Sequence, residues 1–573
     1  MITCGLKLTH DGAIAIIDGD RLVFSVEIEK IANGKRYSNM EDLDLVPRVL
    51  ADFGFQTSDV DRWAVDGWDG RVPTRMSVLN HGVENHLMLA PYKESDAHPD
   101  LAEPGVTGTF RLGAQSHSYA SWAHAAGHLA SAYCSSPFAS RGEPAFVLVW
   151  DGGLFPQLYW VDPDEGVTNC GSLFPVIGHV YAIAGYHFGP FVKGEKQKAA
   201  SPTHDLAIAG KLMAYVALGQ PEEFTLSVLR EEFDRFFEGD SAQAIQYRAS
   251  VGGFGKAVEP SNDIVHEFFA MVASRVKPHG VSDEDVLATV HRFLEDMLAS
   301  RLEDQMLRIM GSGPWNVCFV GGCALNIKWN SALRRLPSCN DVWVPPFPND
   351  SGSAIGSALL ARPRGSTFRP MDWDVHLGPE LLPEGPLPDG WDVRDCSVEE
   401  LARVLHESGG PVVVLQGRAE LGPRALGGRS ILAAPTAAEM KAHLNKIKNR
   451  EGYRPVAPIC LASEAPAIFH PGTPDPFMLF DHQVRPEWVD RIPAVVHLDG
   501  TARLQTVDAA DNAFLAELLT AYHRLSDIPV LCNTSANLNG SGFFPDVASA
   551  ISWGQVPKIW SRNRLFEQQC PKS

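Results

Sequence analysis

His124 and His128 stand four residues apart in the small, apolar stretch Ser121 to Tyr133, S-W-A-H-A-A-G-H-L-A-S-A-Y. Positions i and i+4 share a helix face, so both imidazoles can point at one ion. The same spacing also suits a packed or capped histidine pair, and the pair alone leaves both readings open. Two acids extend the pattern. Asp151 ends the buried-strand run Ala145 to Trp150 and precedes Gly152-Gly153, while Asp350 follows strand Val342 to Val344 in Asn349-Asp350-Ser351-Gly352. Asp350 by itself reads better as a helix N-cap. Taken together, His124, His128, Asp151 and Asp350 form an imidazole and carboxylate set suited to iron, manganese or zinc, with positions left for phosphate oxygens.

Other residues suggest anion chemistry. Strand Asn316 to Val320 runs into Gly321-Gly322 and on to Asn326 before a helix, a way to cradle phosphate or adenosine. Lys211, on a helix within 204 to 219, is available to such a cleft or snorkels at the surface. His10, Asp11 and Gly12 form the tip after the first strand and would face a ligand lying across the hairpin, or serve as plain turn chemistry. Much later, Arg418 to Arg454 holds eight Lys and Arg against three acids, a local charge of +5. Arg418, Arg424, Lys446, Lys448, Arg450 and Arg454 lie there among glycine and proline, so planar guanidinium groups would hold a triphosphate or another small phosphorylated anion. Arg503 and the polar cluster Asn533 to Asn537, with Ser535 inside it, follow.

The elements that must position these residues form two lobes and a separate domain. Ile2 to Leu8, Ala13 to Ile17 and Leu22 to Glu27 read as strands, with Asp18-Gly19 as a hairpin turn. The strand, glycine tip and hairpin plan recurs from Ala145 onward, which is the plan of the actin-like, ATP-handling fold. The interval 67 to 115 is weakly patterned and reads as an elaborated insertion. Residues 221 to 310 alternate amphipathic helices around a glycine-rich 251 to 255. Six prolines and four glycines fill 362 to 395, a linker, and a different domain follows from 396 to 573.

Composition bounds the function. A chain of 573 residues exceeds one core, and a formal charge of −20 argues against nucleic acid or an anionic membrane as partner, so any anion site must be built locally. Ten scattered cysteines without a C-x-x-C pair fit reduced thiols in a cytoplasm. No signal peptide or membrane span is expected.

Several strings then carry a resemblance. E-L-G-P-R-A-L-G-G-R-S-I-L, the run Asn445 to Pro458, the run His497 to Val507 and N-T-S-A-N at 533 to 537 resemble the carbamoyltransferases of the nodulation-factor and antibiotic-tailoring type. H-D-G-A, H-x-x-x-H, W-D-G-G, G-K-L-M, G-G-x-x-x-N and N-D-S-G match the same family in order, over nearly the whole chain. The resemblance implies an α/β protein. Residues 1–361 would be an actin-like duplicated domain similar to the threonylcarbamoyl-adenosine synthesis protein, and 396–573 a YrdC-like domain. The second would make carbamoyl-AMP from carbamoyl phosphate and ATP with Mg²⁺. The first would pass the carbamoyl group to the hydroxyl of a small-molecule acceptor beside Fe(II) bound by His124, His128, Asp151 and Asp350.

By the same resemblance His10 would act as general base or stabilise the tetrahedral intermediate. Gly152, Gly153, Lys211, Gly321, Gly322 and Asn326 would bind the adenylate. Arg418, Arg424, Lys446, Lys448, Arg450, Arg454, Arg503, Asn533 and Ser535 would bind ATP and carbamoyl phosphate. A homo-oligomer is compatible with this reading. The chain departs from the family at N-T-S-A-N-L-N-G-S-G, which lacks the family's aromatic at 536 and the acid after Gly540. Three alternatives differ in kind. A metallopeptidase would need Glu where residue 125 is Ala; an actin-like small-molecule kinase leaves the arginine-rich domain unused; a non-catalytic nucleotide sensor has no need of His10.

Overall fold

The computed structural model describes residues 1–31, 34–68, 70, 72–94, 100–192, 202–251, 258–363 and 365–569. Two compact units result: Met1–Ser25 with Tyr37–Trp373, and Val26–Arg36 with Asp374–Ser573. The glycine-rich 252–255 and the C-terminal Cys570 lie outside the described residues.

In the first unit β1 (Ile2–Lys7), β2 (Ala13–Asp18) and β3 (Arg21–Glu27) form a meander, and Gly19 at φ 59° supplies the turn between the last two. Strand β4 (Arg62–Asp66) pairs parallel to β1. Strands β5 (Thr74–Asn80) and β6 (Val83–Leu89) make a separate hairpin. The interval expected to be an insertion also holds β7 (Val106–Leu112), and β8 (Gln115–Trp122) overlaps its end. Both belong to the first sheet, whose order is β3-β2-β1-β4-β8-β7. One face of β7 is exposed and carries Thr and Arg, so its short polar alternation gives little signal in the sequence.

The second sheet repeats the scheme. It holds β9 (Ala145–Val149), β10 (Gln157–Asp162), β11 (Gly166–Ser172), β12 (Trp315–Val320) and β13 (Cys339–Trp343), in the order β11-β10-β9-β12-β13. Helices Glu223–Phe233, Ala242–Val251, Val258–Val276 and Asp283–Met310 occupy the interval expected to be helical.

In each sheet three neighbouring strands run parallel, and their carboxyl ends carry the chemistry-bearing residues. Lys7 ends β1, Asp66 ends β4 and His124 follows β8. Asp151 follows β9 and Gly321 follows β12. Ligands in open α/β sheets bind at such ends. Helix Ser353–Leu360 is wedged against β1 and against helix His124–Cys134. Glycine permits this approach: a Cβ on Gly356 would stand 1.8 Å from the Gly127 carbonyl oxygen, and one on Gly5 1.9 Å from that of Ala354.

The second unit centres on an eight-stranded sheet. It contains β14 (Trp391–Asp395), β15 (Val412–Leu415), β16 (Arg429–Ala433) and β17 (Ala457–Leu461). A small sheet of β18 (Phe469–His470), β19 (His482–Val484) and β20 (Thr501–Ala502) stands apart. β21 (Gln505–Val507), β22 (Val530–Ser535), β23 (Lys558–Ser561) and β24 (Arg564–Gln568) complete the large one, in the order β14-β24-β23-β15-β16-β22-β17-β21. Strand β14 falls inside the stretch 362–395 expected to be a linker. No helix among the described residues is long and apolar enough to cross a membrane.

Replacing Gly356 with Ala drives a methyl into the Gly127 carbonyl, so the two helices must part. We expect about 1–3 kcal/mol of destabilisation, the usual range for overpacking, seen as a lower melting temperature; an unchanged melt contradicts this packing.

Candidate metal centre and anion site

Helix His124–Cys134 begins directly after β8, which sets His124 at its first turn and His128 one turn on. Both histidines are fully buried. Their Nε2 atoms lie 3.1 Å apart. Asp350 Oδ1 stands 3.4 Å from Nε2 of His124 and 3.5 Å from Nε2 of His128. Asp151 Oδ2 stands 3.8 Å from His124 Nε2. One donor atom from each of the four residues falls within 4.8 Å of the others.

This arrangement fits a divalent ion. Ligands roughly 2.1 Å from one centre stand roughly 3.0 to 3.4 Å apart at octahedral or tetrahedral angles, near the closest spacings here. The donors are imidazole nitrogen and carboxylate oxygen, the mixture that suits iron, manganese or zinc. The N-cap reading of Asp350 does not hold. Asn349 occupies the cap position of the 3₁₀ turn Asp350–Gly352, and the Asp350 side chain faces Lys7 and the histidines.

The surroundings orient each donor. Asp66 Oδ2 lies 2.7 Å from His124 Nδ1, and Lys7 Nζ reaches both Asp66 and Asp350. The Tyr92 hydroxyl donates to Asp151 Oδ2, and the Gly322 N–H donates to Asp151 Oδ1 at 2.8 Å. Burial pushes the Asp350 carboxyl up, but Lys7, His124 and His10 outweigh it and hold the group well below the usual carboxylate range. Burial, then the Asp151 charge, pushes the Tyr92 phenol well up, so it remains a donor. Lys7, Asp66 and Tyr92 escape the sequence reading. The first two offered one signal, a charge closing a buried strand, while Tyr92 sits in the unpatterned interval.

His10 stands beside this cluster. Its Nδ1 is 3.6 Å from both Asp11 Oδ2 and Asp350 Oδ2, its side chain is 20% exposed, and its ring meets Trp68 edge-on at 5.4 Å. Of the glycines, Gly152 packs so that a Cβ would stand 2.5 Å from His179 Nε2, Gly153 follows it in the same turn, and Gly321 adopts φ 92° against the Trp150 carbonyl. Asn326 caps helix Ile327–Arg334 through Oδ1, and its Nδ2 is buried without a hydrogen-bond partner. Lys211 Nζ lies 5.9 Å from the Phe191 ring centre.

The second unit gathers cations. Burial, then Arg503, Arg36 and Arg454, lowers Arg424 well below an ordinary guanidinium, with Asp475 opposing. Burial, Arg450, Arg36 and Arg454 lower Lys448. Arg450 is brought to about 9 by burial and Arg454, and Arg503 to about 10 by burial, Arg450 and Arg454. Like charges gathered this closely call for an anion, and the Nε atoms of Arg424 and Arg503 are buried without a hydrogen-bond partner. Arg36 is the member the sequence did not reveal, because it lies near the other end of the chain.

Not every expected residue joins this group by contact. Lys446 is exposed, and Arg418 donates to the carbonyls of Leu377 and Gly378. Asn533 donates to the Ala425 carbonyl and to Gln505 Oε1, while Ser535 Oγ donates to Asn537 Oδ1. Lys448 donates to the carbonyls of Ser535 and Asn537 at 2.7 Å each.

The loop carrying Arg424 is held from two sides. The buried Glu420 carboxylate accepts from the N–H groups of Leu426, Gly428 and Arg429. Glu27 accepts from Gly422 N–H at 2.7 Å, and Lys30 pairs with Glu27 while donating to the carbonyls of Glu420 and Gly422. The altered N-T-S-A-N-L-N-G-S-G segment leans on the same stretch: Gly542 N–H donates to the Gly34 carbonyl, and Lys35 bridges Ser541.

Residues 2–359 match the family model described as carbamoyltransferase N-terminus, and residues 402–557 match carbamoyltransferase C-terminus. Nodulation protein U of Rhizobium tropici is 50% identical, covering 99% of this chain and 96% of that protein. Nodulation protein U of Bradyrhizobium diazoefficiens is 49% identical over 99% of this chain and 97% of its own length. The 3'-hydroxymethylcephem-O-carbamoyltransferase of Amycolatopsis lactamdurans is 31% identical, covering 96% of each chain. With both domain models and full-length relatives in agreement, the chain belongs to the carbamoyltransferase family, as an enzyme of the nodulation and antibiotic O-carbamoyltransferase type.

Proposed function

We propose that the enzyme makes an O-carbamate in two steps, one in each unit. The second unit, a YrdC-like domain in this reading, makes carbamoyl-AMP from carbamoyl phosphate and ATP: one water cleaves carbamoyl phosphate to carbamate and phosphate, and the carbamate oxygen then attacks the α-phosphorus of ATP and displaces pyrophosphate. The first unit, actin-like in this reading, transfers the carbamoyl group from the adenylate to a hydroxyl of a natural-product or sugar acceptor and releases AMP. The observation that carries this division is the contrast between a buried imidazole and carboxylate cluster in one unit and a half-buried cation cluster in the other.

In the second unit Arg424, Lys448, Arg450, Arg454, Arg503 and Arg36 would neutralise the phosphates of both substrates, which otherwise repel one another. Buried guanidinium groups do this best, because their planar forks bind phosphate oxygens bidentately in a low-dielectric site.

In the first unit a divalent ion, most simply Fe(II), held by His124, His128, Asp151 and Asp350 would supply Lewis-acid binding of phosphate and carbonyl oxygens. Tyr92 and Gly322 keep Asp151 aimed inward. His10 takes the proton of the acceptor hydroxyl while that oxygen attacks the carbamoyl carbon and the bond to the AMP oxygen breaks. Burial pulls the His10 imidazole down, but Asp350 and Asp11 outweigh it and raise the ring above its ordinary value. An acyl adenylate is labile in water, so making and consuming it within one chain limits hydrolysis.

Two assays test this reading. With ATP, carbamoyl phosphate and an acceptor alcohol the wild type should release pyrophosphate; ADP in its place supports a kinase. Arg424→Ala should cut pyrophosphate formation by about 10²-fold or more, whereas His10→Ala should form the adenylate yet lose transfer by about 10²–10⁴-fold. Equal loss of both half-reactions in both variants contradicts the division. In the second assay, a chelator of transition metals, with Mg²⁺ restored, should abolish transfer and spare pyrophosphate release. Transfer that survives complete metal removal contradicts the role given to the histidine cluster.

A further inference from the structure

His124 and Asp350 each own two possible ligand atoms, and in each only one faces the cluster. The other atom is held by residues outside the ligand set. Asp66 Oδ2 sits 2.7 Å from His124 Nδ1. Lys7 Nζ lies 2.9 Å from the same Asp66 oxygen and 2.8 Å from Asp350 Oδ2, leaving Asp350 Oδ1 to face both histidines. Side chains of Lys7 and Asp66 are each 1% exposed, and the Trp68 ring covers the ammonium at 4.9 Å.

Such a pair is costly to bury and is stable only with complete partners. A lysine at the end of a core strand would ordinarily extend to solvent. This one is spent instead on two carboxylates that approach the same imidazole. A carboxylate at Nδ1 selects the tautomer that carries its proton there, which frees the Nε2 lone pair.

Resting on the metal-centre reading above, we infer that Lys7 and Asp66 are positioning residues of that centre. Asp66 fixes His124 as an Nε2 ligand, and Lys7 withholds Asp350 Oδ2 so that Asp350 binds through Oδ1 alone. The charges agree. Asp66, Asp151 and Asp350 with Lys7 amount to −2 when both imidazoles are neutral, which balances a divalent ion; without Lys7 the buried total is −3. Limiting Asp350 to one oxygen also leaves more of the coordination sphere for substrate.

Titration of metal-free, full-length protein with Co(II), followed through its ligand-field bands, tests this without any turnover. The wild type should bind one equivalent. Asp66→Asn, nearly isosteric, should bind about 10–100-fold more weakly, the usual effect of losing a carboxylate behind a ligating histidine. Lys7→Met should shift the bands as Asp350 gains a second ligand oxygen, and Lys7→Arg should move them less. Thermal melts of the metal-free proteins identify any variant that does not fold, and Asp66→Asn carries the test if Lys7→Met does not. Wild-type affinity in Asp66→Asn overturns the role of Asp66, and unchanged bands in folded Lys7→Met overturn that of Lys7. A wild type that binds no Co(II) removes the metal centre and this inference together.

Discussion

The Asp350 carboxylate is 2% exposed, with Lys7 2.8 Å from one oxygen and two imidazole nitrogens 3.4 and 3.5 Å from the other. A charge buried so completely must be balanced where it lies, since the effective penalty is several kcal/mol per ion. Much of the first unit meets that requirement. Parallel strands bring Lys7, Asp66 and the start of the histidine helix to one set of carboxyl ends. Glycines at 5, 127 and 356 then let the helix that follows Asp350 approach β1 and the histidine helix at backbone distance. Small residues here serve chemistry through proximity, because any Cβ at these points would separate the donors.

The second unit presents the opposite electrostatic problem. Around Arg424 the charges gather with one sign, Arg503, Arg36 and Arg454 together, and Asp475 is the acid opposing Arg424 and Arg503. Such a cluster is unfavourable by itself and favourable around an anion such as phosphate, in keeping with the role proposed for it above. The loop that bears Arg424 is kept in shape by Glu420 from within and by the Glu27 and Lys30 pair from a stretch near the N-terminus. The shape of that loop therefore depends on residues nearly four hundred positions earlier in the chain.

Much of the fold is legible in the sequence where the period is clean. The hairpin at Asp18-Gly19, the run Ala145 to Trp150 and the long helices before residue 311 all occur close to their expected places. Strands β5 to β8 were hidden because their faces alternate between half-exposed polar and buried residues with short, irregular spacing. The four converging donors are recognisable because His and Asp at strand ends and helix starts are chemically conspicuous. Lys7, Asp66, Tyr92 and Arg36 were not. Each acts across a long sequence separation, as with the 59 positions between Lys7 and Asp66, and a lone charge ending an apolar strand looks like a strand that has reached solvent. The N–H of Gly322 also orients Asp151, a contact that the sequence does not show.

The central claim is that His124, His128, Asp151 and Asp350 form one metal centre. X-ray absorption at the metal edge of the purified protein tests it most directly. The account predicts one divalent transition ion per chain, with two imidazole nitrogens and at least two carboxylate oxygens at about 2.0–2.2 Å and no sulfur. A sulfur ligand, a single imidazole, or a spectrum unchanged when His128 is replaced by Ala would contradict it.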